Sequence, residues 1–151
     1  MCRQNSMARP GDLFIRFWDN GRDAALDFTV ISSLSPTYRE KSAKEPGSAL
    51  TLAYNRKMDK AFEACDRAGI SFIPMAVEAL GGWHPVAVQN LDKISRRVAK
   101  KSCIDQATAK KHLFQRASVC LQRINASAIL ARQPTFVSSH VDGDWISYKL
   151  N

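Results

Sequence analysis

The chain has no apolar run near the roughly 20 residues needed to cross a bilayer. Its N-terminus lacks the apolar core of a signal peptide. Both absences point to a soluble, intracellular protein. Cysteine is sparse and scattered (Cys2, Cys65, Cys103 and Cys120), with no C-x-x-C spacing. That pattern argues against a disulfide framework or a zinc site and for reduced thiols packed in helices. No Gly-rich phosphate loop, no Ser/His/Asp or Cys/His order and no three-ligand metal constellation stands out. His84 reads as a neighbour of a helix cap, and His112 and His140 read as surface residues. There is no internal repeat and no low-complexity segment.

What is present is a charge imbalance and a pair of aspartates. The formal net charge is +8 over 151 residues. Residues 86–132 carry ten of the 22 Lys/Arg against only Asp92 and Asp105, and that excess accounts for the whole net charge. Concentration of this kind favours a polyanionic partner over mere solubility. Lys93, Arg96, Arg97, Lys100, Lys101, Lys110 and Lys111 are the candidate nucleic-acid contacts. A solvated helix surface is the plainer alternative.

Length fits one domain with a sizeable core. Residues 1–9 read as an arm, 10–132 as a single domain with basic helices at 86–132, and 133–151 as a tail. Asp142-Gly143 makes a short hairpin in that tail an expectation. Asn20-Gly21 between apolar runs predicts a tight hairpin, because both residues tolerate positive φ. Strands are expected at about 12–18 and 22–31, with Leu13 facing Phe28, Ile15 facing Leu26 and Phe17 facing Ala24 on one apolar face. The other face would carry Asp12, Phe14, Arg16 and Trp18 beside Asp23, Ala25, Asp27 and Thr29.

In that register Asp12 lies diagonal to Asp27, roughly 7–8 Å away between Cα atoms. Two carboxylates aimed at one point suit a hard divalent cation, Mg²⁺ or Mn²⁺. Arg16 and Trp18 are placed either to touch a phosphate backbone or to line a packed sheet.

Residues 32–48 read as a polar, mobile loop. A helix is expected over about 49–67, capped by Ser48, stopped by Gly69 and carrying the stripe Leu50, Tyr54, Met58, Ala61, Phe62 and Cys65. Ile70 to Val77 reads as a parallel strand covered on both faces, with Pro74 placing it at an edge or a bulge. Pro85 opens a further helix with the stripe Ala87, Leu91, Ile94 and Val98. Asp105 caps the last one, whose stripe is Leu113, Ala117, Cys120, Leu121, Ile124 and Ala128, and Pro134 ends it. The helix at 49–67 presents Lys57 and Lys60 on a face with Ala53 and Ala64, beside its apolar stripe. Such lysines can reach along the helix toward the sheet edge, or simply pair with Glu63 or Asp59. Glu78, at the carboxyl end of the parallel strand, stands where α/β sites gather. Trp83 reads as a core anchor.

The strings Arg9-Pro10-Gly11-Asp12 and Ala25-Leu26-Asp27-Phe28-Thr29-Val30 resemble restriction-enzyme-like endonuclease domains of the PD-(D/E)XK superfamily. These are the domains found C-terminal to the reverse transcriptase in non-LTR retrotransposon polyproteins. Lys57-Met58-Asp59-Lys60-Ala61-Phe62 is similar to the Lys-x-x-Lys-aromatic helix that supplies their displaced lysine. Phe72-Ile73-Pro74-Met75 and Gly81-Gly82-Trp83 extend the likeness, which covers about residues 8–132. Gly11 separates Pro10 from Asp12, Thr29 stands where the family's lysine is expected, and Ala61 delays the aromatic by one place. Only eleven residues precede Asp12, so the family's leading helix has no room, and the chain reads as the tail of a longer, element-derived protein.

The resemblance implies an α/β fold with a restriction-endonuclease-like core (β-hairpin, helix, parallel strand) and C-terminal helices. It implies a Mg²⁺- or Mn²⁺-dependent DNA endonuclease, with Asp12 and Asp27 as metal ligands and Lys57 or Lys60 as the catalytic cation. Thr29 and Glu78 become neighbours of the active site. DNA, or RNA, is the expected partner, alongside a parent polyprotein bearing a reverse transcriptase, and the location is nuclear. A catalytically inactive nucleic-acid-binding remnant and a non-enzymatic interaction module are the alternative functions.

Overall fold

Asn20 and Gly21 both hold positive φ (47° and 77°) and turn the chain as the sequence predicts. The computed structural model describes residues 11–132. The turn joins β1 (Leu13–Asp19) to β2 (Arg22–Ile31). There follow α1 (Arg39–Lys44), α2 (Ser48–Arg67), β3 (Ile70–Glu78), α3 (Pro85–Ser102) and α4 (Gln106–Leu130). The sheet order is β1-β2-β3, with β1 antiparallel and β3 parallel to β2. The fold is therefore mixed α/β, with the expected strand–helix–strand crossover. The arm at 1–9 and the tail at 133–151, with its hairpin, His140 and Pro134, lie outside the described residues.

The hairpin register differs from expectation by two residues. Asp19 pairs with Arg22 as predicted, but Leu13 faces Leu26 and Ile15 faces Ala24. A β-bulge between Ile15 and Asp19 absorbs the difference. Phe17 takes φ 52° there, a left-handed value unusual for an aromatic residue. The bulge reverses the alternation: Phe17 leaves the apolar face and is 68% exposed, while Trp18 turns into the core at 4%. Trp18 is thus not on the carboxylate face. The two extra residues in β1 leave no mark in the hydrophobic pattern, because Phe and Trp suit either side of a strand.

β2 is the buried middle of the sheet, and Ala24, Ala25 and Leu26 are fully buried. Two small residues let helices approach from both faces. Ala24, Leu26 and Met75 pack with Trp18 against Ala87 and Leu91 of α3, joined by Leu113 and Phe114 of α4. Trp83 anchors this core, edge-on to Phe114 at 6.3 Å between centroids. On the opposite face, Ala25 and Phe72 meet Cys65, while Ile31 and Ala76 meet Ala49, Leu50 and Ala53 of α2. Pro74 is buried in the outer strand, opposite Asp27. At an edge its missing N–H costs the sheet no ladder hydrogen bond.

The segment expected as a polar loop contains α1, a single-turn-and-a-half helix with no buried residue. Gly47 (φ 79°), not Ser48, is the N-cap of α2, because Pro46-Gly47 turns the chain one residue earlier. Phe62 of the predicted α2 stripe is 46% exposed. His84 is itself the cap of α3, its Nδ1 accepting from the Val86 N–H at 3.3 Å. Asp105 caps α4 by accepting from the Thr108 N–H at 3.0 Å. Val98, Cys120 and Ile124, expected in apolar stripes, are exposed.

Candidate functional site

Alternation along β2 turns Asp27 and Thr29 toward α2, on the face that buries Ala25 and Ile31. Ala53 is 3% exposed and holds that helix close to the sheet. One turn further on, Lys57 projects over the strand, and its Nζ lies 2.7 Å from Asp27 Oδ2. The Asp27 side chain is only 19% exposed, so this ion pair is shielded from bulk water on most sides. The snorkelling geometry expected of Lys57 is present.

Beside the pair lies a cleft of about 250 Å³ lined by Thr29, Tyr38, Ala53, Arg56, Lys57 and Lys60. Residues 53, 56, 57 and 60 share one helix face. With Lys57 matched to Asp27, Arg56 and Lys60 leave the cleft positively charged. The Thr29 hydroxyl is buried and has no hydrogen-bond partner among the described residues. A buried hydroxyl left unpaired is costly, and here it faces a cleft able to admit a polar ligand.

Asp12 reaches the same neighbourhood by a different route. Its Oδ2 accepts a hydrogen bond from the Phe28 N–H at 2.7 Å, which sets the carboxylate at the peptide joining Asp27 to Phe28. Gly11 makes this approach feasible. A Cβ at residue 11 would stand 2.7 Å from the Leu26 carbonyl oxygen, a collision with backbone. The glycine separating Pro10 from Asp12 therefore has a local cause. Glu78 lies elsewhere: its N–H donates to Gly82 O at 2.7 Å, and it does not line the cleft.

Mg²⁺ is usually held by one or two carboxylates, with water and phosphate completing the shell. Asp12 and Asp27 each keep a second oxygen beyond the hydrogen bond or ion pair that holds it. No cluster of three or more His, Cys, Asp or Glu occurs among the described residues, so phosphate or water would have to supply most of the shell.

The basic helices are less available than their sequence suggests. Lys93 pairs with Asp19 at 3.0 Å. Arg97 lies 4.5 Å over the Trp18 ring and donates to the Phe17 carbonyl (3.2 Å) and the Trp18 carbonyl. Arg96 and Lys110 both hold Asp92, at 2.6 and 2.9 Å. The hydrogen bond from Lys110, with Arg96 beside it, draws the Asp92 carboxyl below its ordinary range. Arg16, Lys100, Lys101 and Lys111 make no ion pair among the described residues.

Sequence reasoning missed Arg56 and Tyr38. Arg56 was legible from its position one residue before Lys57 on the helix face. Tyr38 comes from a segment with no readable periodicity. No family model, curated protein or solved structure matches the chain.

Proposed function

We propose that the chain is a divalent-metal-dependent DNA endonuclease domain of the restriction-endonuclease-like kind, derived from a retroelement. The observation that carries this reading is the Asp27–Lys57 pair at 2.7 Å on the wall of a basic cleft. Asp27 and Asp12 would hold Mg²⁺ or Mn²⁺, which when bound polarises a phosphate and supplies a nucleophilic water. Lys57 stands where negative charge develops on the phosphate, and a fixed cation there lowers the barrier without reorganising. Lys60 and Arg56 orient the backbone in the cleft, and the Thr29 hydroxyl offers one donor to a phosphate oxygen.

A second reading has its own support: both carboxylates are already partnered within the chain, Asp27 by Lys57 and Asp12 by the Phe28 amide. On that reading the domain binds nucleic acid without cutting it. Supercoiled plasmid incubated with Mg²⁺ or Mn²⁺ separates the two. Nicking that disappears in Asp27→Ala supports the endonuclease. Salt-sensitive binding without nicking supports the inactive binder, and no binding at low salt defeats both.

A further inference from the structure

We propose that Phe17, with Arg16 beside it, is a stacking site for an unpaired nucleobase, so that the domain prefers a single-stranded segment at its basic cleft. The inference rests on the nucleic-acid reading of that cleft, but not on its cleavage chemistry.

Phe17 is held outward by three separate contacts. Its N–H donates to Asp23 Oδ1 at 2.9 Å, and its carbonyl accepts from Arg97 at 3.2 Å. Trp18, the next residue, is locked inward under the same Arg97 guanidinium, 4.5 Å from its ring. The left-handed backbone at residue 17 is unfavourable for a side chain with a Cβ. A glycine would satisfy the bulge without that cost, yet the position carries a phenyl ring that is 68% exposed. Bulges of this kind re-aim a side chain, often next to a functional site.

The surroundings define what the ring would receive. The Arg16 guanidinium sits 5.4 Å from the Phe17 centroid, adding a cation to the aromatic face. α2 packs on β2 and β3 and not on β1, and no other described helix covers the α2 side of β1. Phe14 is 48% exposed on that side, opposite Ala25 and alongside the strand that carries Asp27. Phe17 stands at Asp23 and the cleft at Thr29, six residues or about 20 Å apart along β2, so a strand of several nucleotides would run from the ring to the positive charge of Arg56 and Lys60. Aromatic rings interleaved with cations are how single strands are held, since every base has a face to stack. Bases in a duplex already stack on one another, and their faces are closed to Phe17.

Anisotropy of a dye-labelled oligothymidine, measured in EDTA, tests this directly. Phe17→Gly should weaken binding about tenfold, while Phe17→Trp retains it. The glycine suits the left-handed backbone, and a circular-dichroism melt confirms that the variant is folded. The same strand in duplex form, and an abasic strand of equal length, should bind Phe17→Gly and parent alike. Equal oligothymidine binding by Phe17→Gly and parent overturns the proposal, as does an equal loss for the abasic strand. So does loss of self-association in Phe17→Gly with binding unchanged, which would make the ring a contact between copies. A chain that binds oligothymidine through Phe17 but never nicks plasmid contradicts only the endonuclease. One that nicks through Asp27 and ignores Phe17→Gly contradicts only the stacking site.

Discussion

The two sides of the sheet use their positive charge differently. On the α3 side, Lys93 and Arg97 are turned inward onto Asp19, Trp18 and the carbonyls of the bulge, while Arg96 and Lys110 are held by Asp92. On the α2 side, one lysine meets Asp27, and Arg56 and Lys60 face an open cleft. Four of the ten Lys/Arg in the more basic stretch are therefore held inside the molecule, among them the two that face the sheet. A count of Lys and Arg measures charge, whereas binding depends on charge that has no internal partner.

Three substitutions sharpen this contrast. The largest effect is expected on the α2 side: Lys57→Ala should cut the rate of metal-dependent nicking by about 10²–10³-fold. Duplex affinity should change little, and gel-resolved plasmid time courses give the rate. On the α3 side the loss should be in stability instead. Arg97→Ala removes hydrogen bonds to two carbonyls and a cation from the Trp18 face, at a cost of about 1–2 kcal/mol. Chemical denaturation should show that fall in midpoint, with nicking by the folded fraction preserved.

The smallest effect concerns His84, which burial holds below its ordinary pKa of 6.5. Its neutral Nδ1 accepts from Val86, and its ring stacks on Tyr54 at 4.4 Å. A proton on Nδ1 would set donor against donor. The folded state binds that proton less readily than the unfolded chain, so stability is full above about pH 6.5. It declines as pH falls through the lowered folded value. Melting temperatures between pH 8 and pH 5 should fall, and His84→Asn should flatten that slope. Asp105, held below its ordinary 3.8 first by the Thr108 amide, acts in a separate and more acidic window.

Much of the fold was legible because its signals are local. Asn20-Gly21 fixed the turn, the apolar run at Ile70–Val77 marked the parallel strand, and Pro74 marked its edge position. Asp105 and Pro85 marked the starts of α4 and α3. The helix face bearing Ala53, Lys57 and Lys60 followed from 3.6-residue periodicity, and Lys57 does meet Asp27. What escaped was set by tertiary contacts. Arg97 from the distant α3 and Asp23 from the facing strand hold the bulge, in which Phe17 and Trp18 exchange places. Gly11 could be read only as an interruption before Asp12, since its need appears where it meets the Leu26 carbonyl. The ion pairs of Lys93, Arg96 and Lys110 join residues whose pairing no single-sequence spacing announces, apart from Arg96 with Asp92 one turn away.

On the proposed function, nucleic acid is engaged at the cleft on the α2 side and not along the basic helix α3. The salt dependence of DNA binding compares the two in one measurement. A double variant Arg56→Ala/Lys60→Ala should lower the slope of log affinity against log salt by about two, near one for each phosphate no longer neutralised. Lys93→Ala/Arg97→Ala, folded and at the same temperature, should leave that slope unchanged. The opposite pattern, an unchanged slope for the cleft pair and a reduced one for the α3 pair, would contradict that placement.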